Sequence, residues 1–176
     1  MSAVRSVFER AAEAKPVAGP TSRPDGVRIA VKADERALFD LLMTRAAEEN
    51  SMAPVNEFKV LNGIQVATER KGGVIGIIDT ADGEVAASVC LVMAQLWYTE
   101  SWHYEDLWCY VHPDHRKGAN NYAQRLIQFA KWFGEQAGCP VLLGVASTTR
   151  TLGKIRLYSR NIPLIGAAFL WRGANG

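Results

Sequence analysis

Residues 104–133, reading YEDLWCYVHPDHRKGANNYAQRLIQFAKWF, constrain this chain more than any other part of it. An apolar run, 107–111, stops at His112-Pro113, where proline lacks the N–H that a continuing ladder needs. A polar, basic turn containing Gly118 and two asparagines fills 114–121. Apolar residues then recur at Tyr122, Leu126, Phe129, Ala130, Phe133 and Ala137. Intervals of three and four fit a helix and do not fit strand alternation. Strand, cationic turn and helix N-terminus together predict an anion site. Unsatisfied N–H groups and the positive end of the helix dipole converge there, and Arg116 and Lys117 add full charges. A phosphate-bearing ligand is the first expectation.

The chain of 176 residues is long enough for one domain with a sizeable core. Its net charge of +2 is too small to argue for nucleic acid or a membrane surface. Three cysteines, Cys90, Cys109 and Cys139, form no C-x-x-C pair, and their odd count fits reduced thiols in a cytoplasmic protein. No apolar run approaches the roughly 18–20 residues of a spanning helix, and the N-terminus lacks the apolar centre of a signal peptide.

Residues 1–26 read as an N-terminal extension, a short helical piece followed by a linker rich in proline and glycine. Two readings stand for it: a mobile tail, or an arm docked on its own domain or on a second subunit. The domain proper is expected over 27–176. A β-branched run at 27–31 reads as the first strand. Asp34 is placed to cap a helix with Leu38, Leu41, Leu42 and Arg45 on one face. A second helical pattern carries Phe58, Leu61, Ile64, Gln65 and Thr68, weakened at Gly63 by up to ~1 kcal/mol relative to alanine.

Runs at 74–80 and 84–93 flank Ala81-Asp82-Gly83, whose D-G pair signals a hairpin. A buried strand is expected at 139–146 and a final strand at 164–171, with a helix over 148–159 between them. The order is β-α-α-β-β-β-α-β-α-β. Hairpins imply antiparallel pairing, while the strand-helix-strand passage through 107–146 implies a parallel crossover.

This order and its landmarks resemble the GCN5-related N-acetyltransferase family over roughly residues 27–171. The passage Val111-His112-Pro113-Asp114-His115-Arg116 matches its V-x-P-x-x-R, and Leu157-Tyr158 matches the L-Y of its later helix. The resemblance implies a mixed α/β (α+β) fold, a largely antiparallel central sheet of about six or seven strands flanked by about four helices. It also implies acetyl-CoA as cosubstrate and direct transfer of an acetyl group to a primary amine. Backbone atoms of Cys109, Tyr110 and Val111 would hold the pantetheine arm. The turn through Arg116, Lys117, Gly118, Ala119, Asn120, Asn121 and Ala123 would hold the pyrophosphate.

The turn departs from the family's R/Q-x-x-G-x-G/A. Counting from Arg116 puts Ala119 and Asn121 at the small positions. Counting back from Leu126 puts Asn121 and Ala123 there. The frequent G-F after the helical tyrosine is replaced by Asn161-Ile162-Pro163.

By the same resemblance, Glu105 takes the strand position of a glutamate base, and Tyr158 that of the acid for the departing thiolate. Each has a plain alternative: a solvated strand-start charge for Glu105, a core tyrosine for Tyr158. Asp106 should face the other way and is the lesser candidate. His103, His112 and His115 lack metal-ligand spacing, so no metal is expected. Cys109, mid-strand, is rejected as a nucleophile, because an apolar setting raises a thiol's pKa. Trp97, Trp102, Tyr104 and Trp108 are either packing aromatics or walls of an acceptor pocket.

The expected partner is a small-molecule or peptide amine, with no membrane or nucleic acid, and a homodimer remains open. Two further readings stand: a non-catalytic acyl-CoA-binding module on the same scaffold, and a toxin-like acetyltransferase of aminoacyl-tRNA.

Overall fold

A computed structural model describes residues 22–48, 54–116, 120–145 and 150–165. Residues 19–151 form one compact unit, and the chain from residue 152 belongs to a second.

The larger unit holds five strands in sequential order: β1 (Arg28–Ile29), β2 (Gly73–Asp79), β3 (Val85–Gln95), β4 (Trp102–Val111) and β5 (Val141–Leu142). The first four pair antiparallel, and β4 and β5 are parallel. Two helices, α1 (Glu35–Glu48) and α2 (Glu57–Thr68), precede β2. A third, α3 (Tyr122–Ala137), makes the crossover from β4 to β5. The expected mixed, largely antiparallel architecture is present.

The strand count is a correction: five among the described residues, against about six or seven. Strands β3 and β4 extend as a hairpin to Gln95 and Trp102. The strand expected at 164–171 lies, from residue 166, outside the described residues.

Each face of the sheet has its own core. On one, Leu126, Phe129 and Ala130 of α3 pack on Val74, Ile78, Val89 and Leu91. On the other, Leu38 and Leu42 of α1 and Ile64 and Ala67 of α2 cover Ile75, Ile77, Cys90 and Trp108. Strands β2 and β3 are buried on both faces, which is why they read as continuous apolar runs. The inner face of α2 differs from expectation. Ile64 and Ala67 are buried, with Val60 partly so, whereas Phe58 is 77% exposed. The repeat was correct and its phase was not. Asp34 also differs, closing a 3-10 turn, Lys32–Asp34, and accepting from the Val31 N–H at 2.7 Å.

Gly76 shows how closely α3 is seated. A Cβ built there would lie 2.6 Å from two ring atoms of Phe129, which is fully buried and cannot swing away. Gly76→Ala is therefore expected to cost about 1–3 kcal/mol, the usual range for an overpacked core. Urea unfolding should show a lower midpoint at unchanged slope.

Candidate functional site

One extra residue in β4 shapes the site. Cys90 pairs with Trp108, but the next β3 residue, Leu91, pairs with Asp106, leaving Leu107 without an opposite number. Such a bulge reverses the sense of everything beyond it. The Tyr104 N–H points toward β5 and donates to Pro140 O at 2.8 Å. The His112 N–H, an even number of residues later, points the other way and donates to Ala86 O at 2.9 Å. Side chains agree: Tyr104, Cys109 and Val111 all pack on the α3 side, which strict alternation forbids for residues five and seven apart.

Beyond the bulge, the backbone of Cys109 and Val111 thus faces the β5 side of the strand. Among the described residues, β5 pairs with β4 only at Tyr104 with Val141 and Glu105 with Leu142. The strand expected at 139–146 is cut to two residues for a visible reason. The Gly144 N–H donates to the Asp106 carboxylate at 2.6 Å, so a side chain takes the place of the next rung. The two strands fork at Asp106.

Burial pushes the Asp106 carboxyl up to about 6, against the opposing effect of the Gly144 hydrogen bond. Glu105 lies opposite Val92, which packs on the α1–α2 side, and its side chain is half exposed. His103 Nε2 is buried 3.7 Å from Glu105 Oε2 and makes no hydrogen bond. Sequence reasoning weighed His103 only as a metal ligand. Among the described residues, no group of three or more His, Cys, Asp or Glu is placed to hold a metal ion.

The turn after β4 begins with a 3-10 turn, Pro113–His115, and residues 117–119 (Lys117, Gly118 and Ala119) lie outside the described residues. Asn120 is exposed and precedes the helix. Asn121 is the N-cap position of α3, in the left-handed region at φ 47°, and its side chain makes no capping bond. It is the small position common to both alignments of the turn, and asparagine is among the few residues that adopt this geometry readily. Ala123 lies in the first turn of α3.

Arg116 is paired within the fold. Its Nε donates to Val111 O at 2.9 Å, and both terminal nitrogens bond the Glu48 carboxylate, Nη2 at 2.5 Å. Tyr110 OH donates to Glu48 Oε2 at 2.9 Å, and its ring lies 5.1 Å from the guanidinium carbon. Glu48 is 68 residues from Arg116, and no local pattern in the sequence singles it out.

The aromatic group divides. Trp108 is buried and donates to Ser88 Oγ at 2.8 Å, and Tyr104 packs edge-on against Phe133. Trp97 is 93% exposed and Trp102 also faces solvent, so core packing does not account for them.

The helix α4 (Thr151–Ser159), in the second unit from Leu152 on, carries Tyr158 as its buried residue. Its carbonyl accepts from the N–H groups of Asn161 and Ile162 at 2.8 and 2.9 Å, ending the helix where the family pattern has G-F. Glu105, Cys109, Tyr110, Val111, Arg116, Asn120, Asn121 and Ala123 thus share one unit, and Tyr158 belongs to the other.

Neither protein-family models nor curated protein sequences yield a match to this chain. Solved structures do. A predicted acetyltransferase from Clostridium acetobutylicum, solved with acetyl-CoA, superposes with a TM-score of 0.66 at 14% identity, over 84% of this chain and 94% of that one. A ribosomal-protein-alanine N-acetyltransferase from Brucella melitensis gives 0.59 at 18%, over 83% and 98%. A GNAT family acetyltransferase from Staphylococcus aureus gives 0.53 at 14%, over 83% and 96%. The fold is that of the GCN5-related N-acetyltransferases.

Asp106 supplies a test of the fork. Its folded pKa of about 6 exceeds the ordinary 3.8, so between these values the folded state keeps a proton that the unfolded state has lost. Stability therefore falls as pH rises from about 4 to about 6, by up to about 3 kcal/mol, and stays lowered above that. Asn keeps an oxygen acceptor for Gly144 without the charge. Asp106→Asn should match the wild type near pH 4 and exceed it at pH 7, as read by denaturant unfolding at both pH values.

Proposed function

We propose that this protein is an acetyl-CoA-dependent N-acetyltransferase that acts on a primary amine by direct transfer. The observation that carries the reading is the β4–β5 fork: among the described residues β5 pairs with β4 only as far as Glu105, and the β4 backbone at Cys109 and Val111 faces that same side beyond the bulge. An extended arm bearing amides can lie along that side of β4 in the manner of an added strand. The N-terminus of α3, with no capping bond from Asn121, offers its first amides and the positive end of its dipole to a pyrophosphate. Acetyl-CoA fits these two features in sequence, with Asn120, Asn121 and Ala123 at the phosphates and residues 109–111 along the pantetheine. Lys117, Gly118 and Ala119 complete the turn.

When bound, acetyl-CoA supplies an activated acyl group on a thiol leaving group. The chain's part is to orient it and to move protons. An amine acceptor arrives largely protonated at neutral pH and must lose a proton before it attacks. Glu105 is the carboxylate proposed to take it, directly or through water, because it is accessible on the α1–α2 side next to the bulge. Asp106 is committed to Gly144 and holds the fork. Tyr158 returns a proton to the thiolate, since an ordinary phenol can donate to a thiolate. The acceptor is a small-molecule or peptide amine.

Calorimetric titration with acetyl-CoA, paired with a free-thiol assay over a panel of amines, tests the reading. One-to-one binding and amine-dependent thiol release are expected. Binding without release for any amine would identify a non-catalytic acyl-CoA module instead. Tyr158→Phe should leave binding unchanged and lower turnover by about 10²-fold or more, the usual worth of a positioned acid. Unchanged turnover would remove Tyr158 from the reaction.

A further inference from the structure

The side chain of Arg116 is the one cation of the described turn that the sequence offered to a phosphate, and its partners leave little of it for that purpose. A guanidinium has five N–H donors. Three are used inside the protein: Nε on Val111 O, and one from each terminal nitrogen on Glu48. The pair is bidentate, the geometry that gives arginine–carboxylate contacts their strength and direction. Both side chains are largely shielded, at 17% and 27% exposure, so the pair is weakly screened by water and salt. Donating to the Glu48 carboxylate holds the Arg116 guanidinium above its usual basicity, and burial keeps the Tyr110 phenol protonated as a donor. The charge is thus matched from within the fold.

The contacts also join three parts of the chain. Glu48 is the last residue of α1, Tyr110 and Val111 end β4, and Arg116 closes the 3-10 turn that leads toward α3. Arg116 reaches back five residues to the carbonyl of Val111, the strand end at the fork.

We propose that Arg116 is a strut and not a phosphate ligand, and that Glu48 and Tyr110 are positioning residues that fix it. The knot sets where the chain leaves β4, and hence where the amides of Asn120, Asn121 and the first turn of α3 stand for an anionic ligand. This rests on the cofactor reading above and adds to it a determinant of affinity on α1.

The two roles for Arg116 make opposite demands on Glu48. If Arg116 grips phosphate, removing the competing carboxylate leaves acetyl-CoA affinity unchanged or improves it. If Arg116 is a strut, the same change loosens the turn and weakens binding. The test is calorimetric titration of acetyl-CoA into wild type, Glu48→Gln, Arg116→Gln, the double variant and Tyr110→Phe, with thermal unfolding of each ligand-free protein as control. Glu48→Gln keeps the shape and an acceptor for Tyr110, and Tyr110→Phe is a milder second probe.

Expected are a Kd raised about tenfold or more in Glu48→Gln, by displacement of the turn, and a smaller rise in Tyr110→Phe. The double variant should be no weaker than Arg116→Gln alone, since residues acting through one contact do not add. Unchanged or tighter binding by Glu48→Gln overturns the proposal, even if its unfolding temperature falls, because that pattern is purely structural. Additive losses in the double variant overturn it too. No heat with the wild type overturns the cofactor reading, and the proposal with it, before any variant is compared.

Discussion

The insertion of Leu107 into β4 decides which way the second half of that strand presents its backbone, and the rest of the site follows from that reversal. Without it, Cys109 and Val111 would turn their N–H and C=O groups to β3 and their side chains away from α3. With it, their side chains join the core under α3 while their peptide groups face the β5 side. A bulge costs a ladder position, and such a cost is tolerated where it re-aims groups that are used. The strand is held firmly on both sides of the defect. Trp108 is fixed by Ser88 and Tyr104 by Phe133, so the kink is confined to one residue.

Asp106 completes the geometry from the other side. Its carboxylate takes the N–H that would have continued the β4–β5 ladder, and burial disfavours its charge, so the fork is kept open at a cost to stability. The sheet elsewhere has the means to offset it: two apolar faces, one under α3 and one under α1 and α2, and a central pair of strands buried over most of their paired length. A stable scaffold with one deliberately broken edge is a common way to place backbone groups for a ligand.

Much of this was legible in the sequence. The helical repeat from Tyr122 to Ala137, the D-G hairpin and the His112-Pro113 stop gave α3, β2–β3 and the end of β4, because each signal is local. What was missed is non-local or depends on phase. Strict alternation separated Glu105 from Asp106 correctly, but no residue pattern announced that Leu107 would be skipped. Asp106 therefore looked secondary, although it holds the fork. The strand over 139–146 looked continuous because its apolar composition is continuous, and only a side chain 38 positions away ends it. Phe58 fits the period of α2 but not the face that is buried. Glu48, the partner of Arg116 across 68 residues, cannot be seen from the turn.

The central claim is that the reversed half of β4 and the start of α3 together hold acetyl-CoA. Backbone amide resonances followed during a titration with acetyl-CoA test it most directly. The expected result is saturable shifts concentrated at Cys109, Val111 and residues 120–123, with the β1–β2 pair unaffected. Saturable binding whose shifts bypass β4 and the α3 N-terminus, or no shifts at millimolar ligand, would contradict it.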